Sequence, residues 1–147
     1  MELTYLLTPF FAWLVAGISK FLVNSLRAKK LAFDLIGYGG MPSNHSAIVS
    51  SVAAIVAFRE GIEHPAFVVS LGLAFVVMLD ASSLRRQVGK HATEINRWNA
   101  RQSAQHASES DRPVLRERMG HSRVEILAGI LVGIGSAWVM NLLNLTL

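Results

Sequence analysis

Charge is nearly absent from four stretches of this 147-residue chain and crowded into the connections between them, and no other feature restricts its fold as much. A bilayer core takes a helix of about 20 apolar residues. Residues 3–23 and 124–146 each supply such a run, interrupted by Lys20 near the end of the first and Glu125 at the start of the last. Residues 42–58 and 65–80 are shorter, with polar groups at one end. That suits helices whose ends face protein or a water-filled cavity, since unpaired backbone cannot face lipid. The sequence therefore predicts an all-α polytopic membrane protein. It is read as one domain over residues 1–147, a bundle of about four transmembrane helices with a partly helical cytoplasmic loop at 81–123. Composition agrees, with 52% hydrophobic and 16% charged residues, where a soluble domain carries about 25% charged. Met1-Glu2 brings no positive charge ahead of the first run and Lys20 closes it, so the run reads as a retained span rather than a cleaved signal.

The basic residues set an orientation. Of the 14 Lys and Arg, only Arg59 lies in the second connection, and all the others fall in or beside the first and third. The positive-inside rule then places those two connections in the cytoplasm and both termini outside, as for a protein of a bacterial inner membrane. The net charge of +4 fits this placement. Basic residues that flank apolar spans point to the bilayer surface as partner, not to nucleic acid. With no cysteine, disulfides and thiolate metal sites are excluded. Within the long loop, Val88, Ala92, Ile95, Asn99 and Gln102 recur at helical spacing. The third span is expected to extend as a helix, turn at residues 108–111, and restart as a short helix at Pro113 leading to Gly120.

Four groups of residues with chemical potential converge on the cytoplasmic ends of the spans. In Gly39-Gly40-Met41-Pro42-Ser43-Asn44-His45, the glycines let backbone amides approach an anion, and Pro42 suits a first helical turn. The helix start aims free N–H groups at the same place. Ser43 adds a hydroxyl and His45 a titratable ring. The bland reading, a Gly-Pro loop capping a membrane helix, is equally compatible with this stretch alone. His121 and Glu125 are four apart, so on a helix they share a face and the carboxylate can orient the imidazole. An interfacial ion pair is the simpler account of that spacing. Lys20 lies inside an apolar run, where an ionisable group implies function, whereas Arg27, Lys29 and Lys30 also read as anchors. Asp80 can pair with a nearby cation, and Arg85 and Arg86 carry the planar forks that clamp phosphate. Phosphoryl transfer needs such a set of donors, nucleophile and acid. His64, His91 and His106 are scattered, and no cluster reads as a metal site.

Taken together these residues resemble a family. Pro42-Ser43-Asn44-His45 is similar to the Pro-Ser-Gly-His motif of the type 2 phosphatidic acid phosphatase and vanadium haloperoxidase superfamily. Lys20-x6-Arg27 resembles its upstream Lys-x6-Arg-Pro motif without the proline. His121-x-x-x-Glu125 resembles its closing His-x-x-x-Asp motif with Glu for Asp. Gly-Gly-Met-Pro-Ser-x-His-Ser-Ala, with Asp80-Ala81, Arg85-Arg86 and Gly120-His121, resembles the superfamily's short divergent branch over roughly residues 20–133. The superfamily places Ser-Arg six residues before the closing His, where this chain has Leu115, so Arg85, Arg86 or Arg116 is left to fill that role. The resemblance implies a metal-independent, cofactor-free phosphatase acting on a lipid phosphate. In it His121 attacks phosphorus to give a phosphohistidine, Glu125 fixes the ring, and His45 protonates the leaving alkoxide and later activates water. Lys20, Arg27, Arg85 or Arg86, Ser43 and the Gly40 amide hold the phosphate, with Asp80 in support. Phosphatidylglycerophosphate, phosphatidate and polyprenyl (pyro)phosphates all remain open as substrates. A non-catalytic module that binds anionic lipids or a partner protein is the main alternative, and a small anion channel ranks below it. Gly129, Gly133 and Ser136 form a small-residue stripe that suits a homodimer.

Overall fold

The computed structural model describes residues 3–29, 31, 40–106 and 113–143. Helix α1 spans Leu3–Ala28, α2 Asn44–Glu60, α3 Pro65–Leu79, α4 Arg85–His106 and α5 Arg123–Leu143. A π-helical turn at Asp80–Leu84 joins α3 to α4 without a break. α1, the continuous α3–α4 rod and α5 are each long and apolar enough to cross a membrane. α2 has 17 residues, about 25 Å of helix, and sits at the centre of the bundle against α1, α3 and α5. The second of the four expected spans, already short in the sequence, is thus an enclosed helix.

The inside and outside of the bundle are the reverse of a soluble protein. Buried positions are small or hydroxylic: Thr4, Thr8, Ala12 and Ala16 on α1, Ser46, Ser50 and Ala53 on α2, Gly129, Gly133 and Ala137 on α5. Large apolar side chains point outward, as with Phe10, Trp13, Val69, Phe75, Leu131 and Trp138. Small residues let membrane helices approach closely while Leu, Phe and Val face lipid. The α2–α5 seam shows how far this goes. A Cβ at Gly129 would collide with the Ser43 carbonyl, and one at Gly133 with Ser50 and the Ala47 carbonyl. The Gly129, Gly133, Ser136 stripe is therefore consumed inside the chain, contrary to the expectation that it faces a second copy.

These seams also aim the polar groups. On α1 the buried four-residue spacing Thr4, Thr8, Ala12, Ala16 continues to Lys20, and on α5 Gly133 and Gly129 lead back to Glu125. Each charged residue is the next position on a face that packing has already turned inward. α2 and α5 run parallel, with Ser43 N–H donating to the Glu125 carbonyl at 2.9 Å. The end of α1, the starts of α2 and α5, and the π turn consequently meet at one end of the bundle. At the other end α2 closes on Gly61, whose φ of 89° suits glycine and whose N–H donates to the Ala57 carbonyl. His64 then caps α3 ahead of Pro65.

Residues 113–119 form no helix, which corrects the expected short helix after Pro113. They run back along α4 instead. The Asn96 amide pairs with both backbone groups of Leu115 (Nδ2 to O 2.8 Å, N to Oδ1 2.9 Å), and Asn96 and Thr93 both donate to the Glu117 carboxylate. Those bonds, Asn96 first, hold the Glu117 carboxyl below the usual range. Their contribution is complete above the unfolded carboxyl value and is lost as pH falls through the lower folded one. Because the contact is made by amide and hydroxyl groups, the face of α4 that is covered includes Gly89, Thr93 and Asn96, while Val88 and Ile95 remain exposed.

Candidate functional site

Glu125 holds His121 through a helix cap rather than along a helix face. α5 begins at Arg123, so His121 precedes it. Ser122 N–H donates to Glu125 Oε2 at 2.9 Å, and Glu125 N–H donates to Ser122 Oγ at 3.3 Å. This is a capping box, and it bends the carboxylate back over the helix start. The same Oε2 lies 3.2 Å from His121 Nδ1. An ionised carboxylate only accepts, so this contact takes its proton from Nδ1, and in the neutral ring that tautomer leaves the lone pair on Nε2. The Ser-x-x-Glu spacing was visible in the sequence, but the same-face reading of His121 and Glu125 hid it.

The backbone of His121 is held as firmly as its ring. At the π turn, Arg85 N–H reaches the carbonyl of Asp80, five residues back. The Ala81 carbonyl accepts the His121 N–H at 2.9 Å. Gly120 makes this approach possible: its φ is 88°, and a Cβ there would lie 3.1 Å from the Arg86 backbone nitrogen. The outcome is an imidazole only 8% exposed, fixed at both backbone and Nδ1.

His45 faces it. The two ring centroids are 5.9 Å apart and tilted by 57°. Arg85, Lys20 and Asp80 lie within electrostatic reach of His45, as does His121 when protonated, and Glu125 lies within reach of Lys20, so these six side chains form one electrostatic cluster. Arg85 donates from Nε to Asp80 Oδ2 at 3.2 Å, a contact that does not use its two terminal nitrogens. His45 Nδ1 and Asn44 Oδ1 are buried and have no hydrogen-bond partner among the described residues.

Ser43 and Pro42 differ from the sequence reading. Ser43, not Pro42, begins the helix as its N-cap, and Pro42 lies before it. The Ser43 hydroxyl is fully buried, accepts from Ser46 N at 3.4 Å and takes the Ser46 hydroxyl at 3.1 Å. Of the four N–H groups that a helix start leaves open, those of Ser43 and Ser46 are therefore taken. Those of Asn44 and His45 have no partner among the described residues. Gly40 (φ 146°) leans on Asn24 of α1, while Gly39 falls outside the described residues. Arg27 shares a face of α1 with Lys20 but is exposed in the last turn, about 10 Å further along the axis. Arg86 lines a separate cavity, and Arg116 sits exposed on the segment beside α4. Among the described residues no group of three or more His, Cys, Asp or Glu gathers with metal-ligand spacing. What the arrangement provides is a carboxylate-paired imidazole facing a second imidazole, with two cations and a helix start at the same end of the bundle.

Comparison with known proteins identifies the family. Residues 1–136 match the family described as the divergent PAP2 family. The uncharacterized membrane protein YuiD of Bacillus subtilis (strain 168) is 32% identical over 139 residues, covering 88% of each chain. No solved structure matches. The chain is a membrane protein of the divergent PAP2 family.

Proposed function

We propose that this protein is an integral-membrane phosphatase that hydrolyses a lipid phosphomonoester or pyrophosphate through a phosphohistidine on His121. The supporting observation is the His121–Glu125 pair facing His45 across 5.9 Å, between Lys20 and Arg85. Attack needs an approach of about 3–3.5 Å, and proton delivery needs a hydrogen bond of about 2.6–3.2 Å. The two rings meet at the same end of the bundle, one available for each of these roles. Nε2 of His121 attacks phosphorus, the P–O bond to the lipid breaks, and His45 gives its proton to the departing oxygen. Water then attacks the phosphohistidine with His45 as base, releasing phosphate and restoring His121. Arg85, Lys20 and the N–H groups of Asn44 and His45 spread the developing charge. Arg85 rather than Arg86 or Arg116 takes the superfamily's arginine role, since it is the one that acts on His45. Ser43 supports the site from behind as a cap.

Phosphate release by the purified full chain from phosphatidylglycerophosphate, phosphatidate and polyprenyl (pyro)phosphates tests the reading. Turnover of at least one is expected. No release from any of them would favour the non-catalytic lipid-binding alternative. Lys20→Ala is expected to cut kcat/KM about 10²-fold or more, the scale of one preorganised charge at a transition state. Lys29→Ala, an exposed cation past the end of α1, is expected to stay within about twofold. Equal small effects at both positions would reduce Lys20 to a topology signal.

The site faces the cytoplasm of a bacterial inner membrane in this proposal, motivated by the basic residues at its end of the bundle. The chain has no cysteine, so Gln102→Cys on exposed α4 gives a single label. It is expected to react with a membrane-impermeant maleimide only after the cells are opened. Labelling of intact cells would reverse the orientation.

A further inference from the structure

A second cavity, of about 600 Å³, opens between the π turn, α4 and α5. Its lining includes Arg86, Lys90 and Arg123, with Ser82, Ser83 and Leu127, and contains no carboxylate. Ser82 and Ser83 donate their hydroxyl protons to the Leu79 carbonyl, so the cavity's side-chain donors are the three cations and the amide of Gln87. Neither Lys90 nor Arg123 has an ion-pair partner among the described residues. Positive groups placed together without an acid favour an anion.

The cavity is distinct from the histidine pair. Arg85 turns to Asp80 and His45, whereas Arg86 is one residue, about 100°, further round the helix. The two places touch through a long contact of 3.5 Å between Arg86 Nη2 and the His121 carbonyl. An apolar track leads away from its mouth: Leu127, Leu131, Ile134 and Trp138 are 60%, 71%, 41% and 56% exposed and recur at helical spacing along α5. That is where acyl chains lie when such a helix spans a bilayer. Basic pockets between transmembrane helices at a membrane surface hold lipid phosphate groups in this manner.

We infer that this cavity binds the phosphate of an anionic phospholipid whose acyl chains run along the Leu127–Trp138 track, at a site separate from the histidine pair. The phosphate accepts from Arg86, Lys90 and Arg123. A soluble phosphate ester shares the headgroup chemistry but gains nothing from the apolar track.

Phosphatidylglycerol tests this without turnover, because it is a phosphodiester and binding is read directly. The full chain in uncharged detergent is titrated with it, and bound lipid is counted by native mass spectrometry. Phosphatidylglycerol is expected to bind and phosphatidylcholine not. Each cation near a lipid headgroup contributes roughly fivefold in affinity, so Lys90→Gln with Arg123→Gln is expected to weaken binding about 25-fold. Lys90→Arg should keep it, and Lys29→Gln should leave it unchanged. A double variant with wild-type affinity, or equal binding of phosphatidylcholine, would overturn the inference. Displacement by equimolar glycerol 3-phosphate would overturn the lipid assignment in favour of a soluble ester. Loss of phosphatase activity across all substrates leaves each of these outcomes readable.

Discussion

His121→Ala is expected to bring phosphate release to background from every substrate, lipid or aryl, while the bundle stays folded. The substitution keeps the backbone N–H that bonds the Ala81 carbonyl, and the Ser122–Glu125 capping box does not involve the imidazole. What disappears is Nε2, the lone pair that Glu125 aims. His45 cannot replace it, because it sits on α2 across the site and is needed on the leaving-group side. A fall of about 10⁴-fold or more follows, as when a nucleophile is removed from a concerted set. Equal loss with lipid and aryl phosphates distinguishes this role from leaving-group chemistry. Orthovanadate, which becomes trigonal-bipyramidal on the nucleophile, should inhibit the native protein, and EDTA should not. Steady-state release with p-nitrophenyl phosphate and a lipid phosphate, beside circular dichroism, measures all of this.

His45→Ala is expected to behave differently, and the difference carries the information. A lipid alkoxide is a poor leaving group and needs a proton as the P–O bond breaks. Its turnover should fall about 10²–10⁴-fold, the range of a positioned general acid. An aryl phosphate leaves as a stable phenolate, so most of its first step should survive. The ratio of aryl to lipid turnover should therefore rise in this variant and remain unchanged in Lys20→Ala. Equal losses with both substrates in the first step, read as the initial burst of released alcohol or phenolate, with no phosphoprotein accumulating, would make His45 a structural residue of the helix start and remove it from proton transfer.

Much of this arrangement was legible before any coordinates. The apolar runs gave the membrane helices, and the one-sided basic residues gave the end at which His45, His121, Lys20 and Arg85 meet. The small residues spaced four apart, Thr4 to Ala16 and Gly129 to Ala137, are the packing cause of that convergence. Gly129 and Gly133 were misread as an external stripe because periodicity shows a face and not its occupant. α2 occupies it. The course of residues 113–120 was hidden for another reason. It depends on Asn96 bonding Leu115, 19 residues away, and on Gly89 admitting the Glu117 carbonyl. Single polar contacts of that kind leave no periodic trace. The π turn is equally silent in sequence, yet it accompanies the Ala81–His121 bond and gives Arg85 and Arg86 different surroundings.

Trapping the covalent intermediate tests the central claim most directly. The native chain is mixed with a lipid phosphate carrying ³²P in the phosphoryl group, quenched within one turnover, and digested for mass spectrometry. A phosphorylated peptide containing His121, stable to base and labile to acid, is expected. It should be absent from His121→Ala and should accumulate in His45→Ala when an aryl phosphate is the donor, because water activation is slowed. Full turnover with no phosphoprotein, or a label on any other residue, would contradict the account.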